Sequence, residues 1–433
     1  MSLLLIPILA QALMVNLGDR SELRLRGDQT GSVAFDVVNR GQLGIGVSST
    51  RTNWSLSYTP SISLFDIASD YPALLIDQGG SLLAGFNLTR HISLTLSQSG
   101  SYGQRSLQVL ALEAVGRNDA SAPTTEPASG AGQTQTTSAQ NGQVQNLLVP
   151  RAQTIRLGST SSTIDIRCEL DRHWQILARV GYSMSGGLNA SSRESMPEMQ
   201  TVSMRSALSY AMHRRDQLSL SIETSRSATE TMDVRRYANI GLAGLLWEHQ
   251  ASRNTSFNAL AGVSLSQVQT YVITDRPPVL FRTETDFVYG KSETGDRGRV
   301  DSVHPNLSTE VRTTQPLQSG RVLATFSAQL LPVLERMTGD VVTRAITGMD
   351  GRWSRRHVTL TVSASATNTV SGNRAGTFRA AYSLGQSLSY LVTRRWELEF
   401  GARQLWLTLS NGEYWVTWTG FAAATYSTGD IPW

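Results

Sequence analysis

The chain has 433 residues, 17% of them charged and 40% hydrophobic, with 38 Lys and Arg against 34 Asp and Glu for a net charge of +4. That balance excludes a disordered polyelectrolyte, and no stretch reaches the roughly 18 consecutive apolar residues that a membrane helix needs. The basic residues are scattered at turns without runs or interleaved aromatics, which excludes a nucleic-acid surface.

Residues 1–12 form an apolar run closing on Ala10, Gln11 and Ala12, the small-x-small pattern of a secretory signal peptide. Residues 13–31 are expected to be a periplasmic N-terminal segment, and 32–433 a transmembrane β-barrel whose first strand lies near residues 32–39. From there alternation with a period of two recurs, which a helical face repeating every 3.6 residues cannot produce. Trp54, Leu56 and Tyr58 alternate with Ser55, Ser57 and Thr59, and Ile92, Leu94 and Leu96 with Ser93, Thr95 and Ser97. Leu218, Leu220 and Ile222 alternate with Ser219, Ser221 and Glu223. In residues 358–366 every second residue is apolar and every residue between is Ser or Thr.

The connections alternate as well. Short basic turns recur at Arg51, at Arg90 and His91, at Arg172 and His173, at Arg214 and Arg215, at Arg253, at Arg355 and Arg356, and at Arg394 and Arg395; a less typical one lies near Pro316. Between them the connections are longer, and residues 116–145, nearly devoid of bulky apolar side chains, are expected to be a disordered external loop. Tight periplasmic turns alternating with long external loops are the pattern of outer-membrane barrels. About eight hairpins, a first strand and a last one near residues 414–426 give the expected fold: all-β, a single closed antiparallel barrel of about 18 strands in the cell outer membrane.

If the apolar positions face lipid, the intervening Ser, Thr, Gly and Gln line a polar lumen. The same parity turns Arg179, Arg205, Glu223, Arg379, Glu397, Glu399 and Arg403 inward as candidate lumen-lining charges. They read as a selectivity element or as cross-strand pairs bracing the wall, and no long inward-folded acidic constriction loop is legible. Leu177, Leu260 and Leu323 also take inward positions. The tryptophans Trp54, Trp174, Trp396 and Trp418 share the lipid-facing parity, as an interfacial girdle requires. Cys168, the one cysteine, has no disulfide partner and no ligands at metal spacing. There is no His-Glu-x-x-His, no Gly-x-Ser-x-Gly and no phosphate loop between strand and helix, so neither catalytic residues nor a cofactor nor a metal is expected.

Two stretches carry a resemblance. Residues 54–60, running on to Leu64, Phe65 and Asp66, and residues 88–98, running on to Ser101, Tyr102, Gly103 and Gln104, resemble the outer-membrane barrels of myxobacteria, including the barrel subunits of their polysaccharide export systems. The resemblance implies a barrel of about 18 strands that works with a periplasmic polysaccharide-export protein, and it implies no particular site residues. The expected function is an outer-membrane conduit for a polymer, with polysaccharide as the expected substrate. The alternatives are a diffusion porin for small solutes and a non-conducting structural or adhesion barrel.

Overall fold

In the computed structural model, the described residues are 13–49, 51–67, 73–106, 154–189, 192–193, 196–230, 234–274, 292–293, 298–318, 320–335, 339–371, 378–409, 412–428 and 431–432. The expected signal peptide and residues 116–145 lie outside them.

Eighteen long strands form the wall. The first eleven are β1 (Leu13–Asp28), β2 (Val33–Ser48), β3 (Thr52–Phe65), β4 (Ala73–Asn87), β5 (Ile92–Ser106), β6 (Thr154–Glu169), β7 (Trp174–Gly187), β8 (Glu198–His213), β9 (Asp216–Glu230), β10 (Val234–Ser252) and β11 (Thr255–Thr274). A two-residue strand, β12 (Ser292–Glu293), precedes β13 (Gly298–Leu317), β14 (Gly320–Leu334), β15 (Val341–Arg355), β16 (Val358–Ser371), β17 (Phe378–Leu391), β18 (Trp396–Leu409) and β19 (Tyr414–Ser427). The short β20 (Ile431–Pro432) adds to the foot of β1. Each long strand pairs antiparallel with its neighbours, and β1 closes the ring on β19, from Gly18 against Ser427 to Asp28 against Thr417. Closure removes the edges that an open sheet would expose to lipid.

The first strand lies upstream of its expected place. Residues 13–31 are not a periplasmic segment: they are β1 and the start of its turn, and the expected strand at 32–39 is the first half of β2. β1 escapes notice because its inward positions are charged. Arg20, Glu22, Arg24 and Arg26 alternate with Ser21, Leu23 and Leu25, so the apolar half of the pattern is thin.

Four of the basic turns, at Arg51, Arg90, Arg172 and Arg394, share one local device: a Ser, Thr or Asp side chain accepts hydrogen bonds from backbone N–H groups two and three residues on, tying off donors that the strands leave unpaired. Thr89 Oγ1 takes His91 N at 3.2 Å and Ile92 N at 3.0 Å, and Thr393 Oγ1 takes Arg395 N at 3.2 Å and Trp396 N at 3.1 Å. Asp171 Oδ1 takes His173 N at 2.6 Å and Trp174 N at 2.7 Å, and those two donors hold its carboxyl below the usual carboxylate range. The arginine beside the acceptor points to solvent. Just inside these turns, outward aromatic pairs such as Trp174 with Tyr210 (4.7 Å between centroids) and Trp396 with Tyr426 (5.1 Å) form the girdle at headgroup depth.

The lumen as candidate functional site

The wall is apolar outside and polar inside. Along β9, Leu220 and Ile222 are exposed on the outer face, whereas Ser219 and Ser221 between them are buried on the inner one. The same inversion holds around the ring, with Leu245, Val263, Phe326, Val362 and Leu384 facing out. A wall of 18 strands encloses a channel of porin width.

One sector of the inner face is built from hydroxyls. A single register row runs Ser57, Ser81, Ser99, Ser161, Ser183, Thr201, Ser227 across seven successive strands, β3 to β9. Neighbouring hydroxyls in the row lie close: 2.7 Å between Ser57 and Ser81, 2.7 Å between Ser99 and Ser161, and 2.9 Å between Thr201 and Ser227. The flanking rows add Ser97 to Thr163 at 2.6 Å and Ser101 to Ser159 at 2.8 Å. Across the lumen, Ser365 and Ser383 pair at 2.6 Å.

Charges occupy separate places. Arg179, Arg205 and Glu223 lie side by side in one register row with Asp165, and Arg179 is ion-paired with Asp165. Glu399 accepts from Arg20 Nη1 at 2.8 Å. Glu397 and Arg403 lie on the same face of β18 as Glu399, in register with Thr425 and Thr419 of β19, but in rows of their own. Arg379 does not join them: it sits in the register shift between Phe378 and Ala380 at the loop end of β17, exposed.

The sequence reading missed the strongest cluster. On β1, Glu22 takes Arg24 Nε at 2.5 Å and Arg20 Nε at 3.3 Å. Above them Arg26 grips Asp36 of β2 through two nitrogens, one at 2.9 Å, and its guanidinium lies 5.4 Å from the Phe65 ring centre. Asp36, fully buried, also accepts Asp66 N at 3.0 Å. The ring of Phe421 fills the space over Gly401, where a Cβ would meet it at 2.4 Å. The alternation of Leu23 and Leu25 with Arg24 and Arg26 is the signal that could have found this sector.

A second unexpected feature is an element folded inward. β13 and β14 pair only as far as Leu307 against Leu330, although β13 continues to Gly298. Two more steps in that register would set Pro305 against Pro332, and neither has an N–H for the ladder. From there the described residues of the β14–β15 hairpin leave the wall and lie against the inner faces of β8, β10 and β11. Leu334 packs with Val341, Met199, Ala238 and Val268, the last three from β8, β10 and β11. Asp340 reaches Arg236 of β10 at 3.4 Å, and Gly339, at φ +65°, lies so close that a Cβ there would meet the Arg236 stem at 2.7 Å. Arg344 of β15 reaches along the hairpin to Glu335, the residue after β14, in an ion pair at 3.2 Å with side chains 0% and 1% exposed. His304 of β13 ties the root to the wall: its Nδ1 lies 2.7 Å from Thr343 Oγ1 and its Nε2 2.9 Å from Ser266 Oγ. The expectation of no legible inward loop is thus corrected. The element is a hairpin of ordinary length, and its sequence signal is a pair of prolines that become opposite only once register is known.

Among the described residues no group of three or more His, Cys, Asp or Glu could hold a metal ion. Leu177, Leu260 and Leu323 occupy inward register positions beside Arg167, Ser308 and Arg352.

A family model described as the EpsX exopolysaccharide export family matches residues 10–420. Among solved structures, the open form of the ferric-catecholate import receptor Fiu from E. coli K12 is 8% identical, with 95% of this chain and 81% of that chain covered and a TM-score of 0.50. OpdL of Pseudomonas aeruginosa is 12% identical, covering 97% and 99% of the two chains at a TM-score of 0.43. No curated protein matches the chain. The likeness to Fiu concerns the fold, and with the family match it places the chain among outer-membrane barrels of export or transport.

Proposed function

Because the chain belongs to the EpsX exopolysaccharide export family, we propose that its barrel is the outer-membrane conduit through which a polysaccharide leaves the cell, working with a periplasmic polysaccharide-export protein at the turn-side mouth. The hydroxyl row from Ser57 to Ser227 carries the reading. A wall hydroxyl exchanges a hydrogen bond with a sugar for one with water at little net free energy. A glycan can therefore slide along such a wall without being held, where a one-signed ladder of charges would trap an ionic polymer. The inward charges Arg179, Arg205, Glu223, Glu397, Glu399 and Arg403 are of both signs, which suits bracing of the wall better than ion selection.

The inward hairpin favours a second reading, a diffusion porin for small solutes, since a narrowed mouth is what such a pore uses to select. Deleting the chain in a polysaccharide-producing cell separates the two. Surface polysaccharide is expected to vanish and periplasmic polymer to accumulate, with both restored by the wild-type chain. Surface polymer at the wild-type level would overturn the conduit and leave the porin.

A further inference from the structure

We propose that the β14–β15 hairpin is the size-determining constriction of the pore. The proposal rests on the reading of the lumen as a transport path, and not on polysaccharide being the cargo. Three observations carry it. The hairpin leaves the wall where Pro305 and Pro332 end the ladder, so its direction is built into the backbone. It is anchored at two depths, by the Thr343–His304 bond at the root and, further in, by the Leu334 and Val341 contacts on Met199, Ala238 and Val268 and the buried Arg344–Glu335 pair. Its far end meets β10, three wall strands along from β14, so described atoms of the hairpin bridge an arc of the lumen.

Two variants test this in the full-length barrel reconstituted in planar bilayers, with heat-modifiable gel migration confirming closure. The first is Arg236→Cys with Gly339→Cys in a Cys168→Ser background. The Cβ positions approach to 3.0 Å, near enough for a disulfide after a small shift. Oxidation is expected to form the bond and to leave conductance and the exclusion size for neutral polyethylene glycols at the wild-type values. Failure of the cysteines to join in the folded barrel would overturn the inward placement. In the second, residues 335–340 are replaced by Asn-Gly, a two-residue turn, together with Arg344→Leu so that the loss of Glu335 strands no buried charge. Single-channel conductance is expected to rise about two-fold or more, with larger glycols admitted. A closed barrel with unchanged conductance and unchanged cutoff would overturn the constriction. Because glycols report width alone, a raised cutoff together with normal surface polysaccharide in the deletion strain would retain the constriction and reject the polysaccharide conduit.

Discussion

The hydroxyl sector of β3 to β9 and the charged sector of β18, β19, β1 and β2 are built on one backbone plan, with the same alternation and the same closure, and differ only in what points inward. In the first, Ser and Thr pair with a neighbour or with water interchangeably, so each contributes little and independently. In the second, Asp36 is fully buried and holds both Arg26 and the backbone of Asp66, and Glu22 holds Arg20 and Arg24. Removing one member strands another charge in a space that water reaches poorly. Alternation thus decides that there is a barrel, while the inward residue type decides whether a stretch of wall is a tolerant track or an interlocked brace. The inward hairpin, with Arg344 on Glu335, is the extreme of the second kind.

Substitutions can break or sharpen this contrast. The largest effect is expected in the inward hairpin, where Glu335→Gln removes the charge paired with Arg344 and should cost about 3–5 kcal/mol of stability, read by urea unfolding from lipid vesicles. Next, Val362→Arg places a charge on the lipid face and should cost about 2–4 kcal/mol near mid-membrane. Ser363→Arg, one residue away on the lumen face, should fold nearly as well as wild type, and equal costs for the two would reverse the inside and outside of the wall. Asp36→Asn weakens the bonds to Arg26 and should cost about 1.5–3 kcal/mol by the same assay. The smallest effect belongs to the hydroxyl row. Ser99→Ala should change stability by less than about 0.5 kcal/mol, since lumen water replaces the lost partner of Ser161; a loss as large as that of Asp36→Asn would erase the distinction between the sectors.

Much of the wall is legible in sequence because two requirements write it twice: lipid demands apolar residues on one face, and alternation then marks the strands. The strands around Leu218 to Ile222 and Val358 to Ala366 are found this way, and Ser49, Thr89, Asp171 and Thr393, each just ahead of a turn arginine, fix four of the tight ends. β1 is hidden because its inward Arg20, Glu22, Arg24 and Arg26 make it read as a polar segment, although Leu23 and Leu25 keep the period. Inward facing is a local property and follows from parity for Arg179, Arg205 and Glu223. Partnership is not local: Arg20 with Glu399 joins residues 379 apart in sequence, and Pro305 meets the register of Pro332 only after the hairpin is aligned. Arg379 shows the limit of parity, since one register shift beside it is enough to detach it from the row its neighbours keep.

The central claim, that a sugar chain runs along the hydroxyl wall, is tested most directly by thiol protection in cells. Ser99→Cys in a Cys168→Ser background is exposed to a membrane-impermeant thiol reagent in producing cells and in cells that make no polymer. The expected result is rapid labelling without polymer and protection during export, while Val362→Cys on the lipid face labels alike in both. Equal labelling of Ser99→Cys in the two strains would contradict the account.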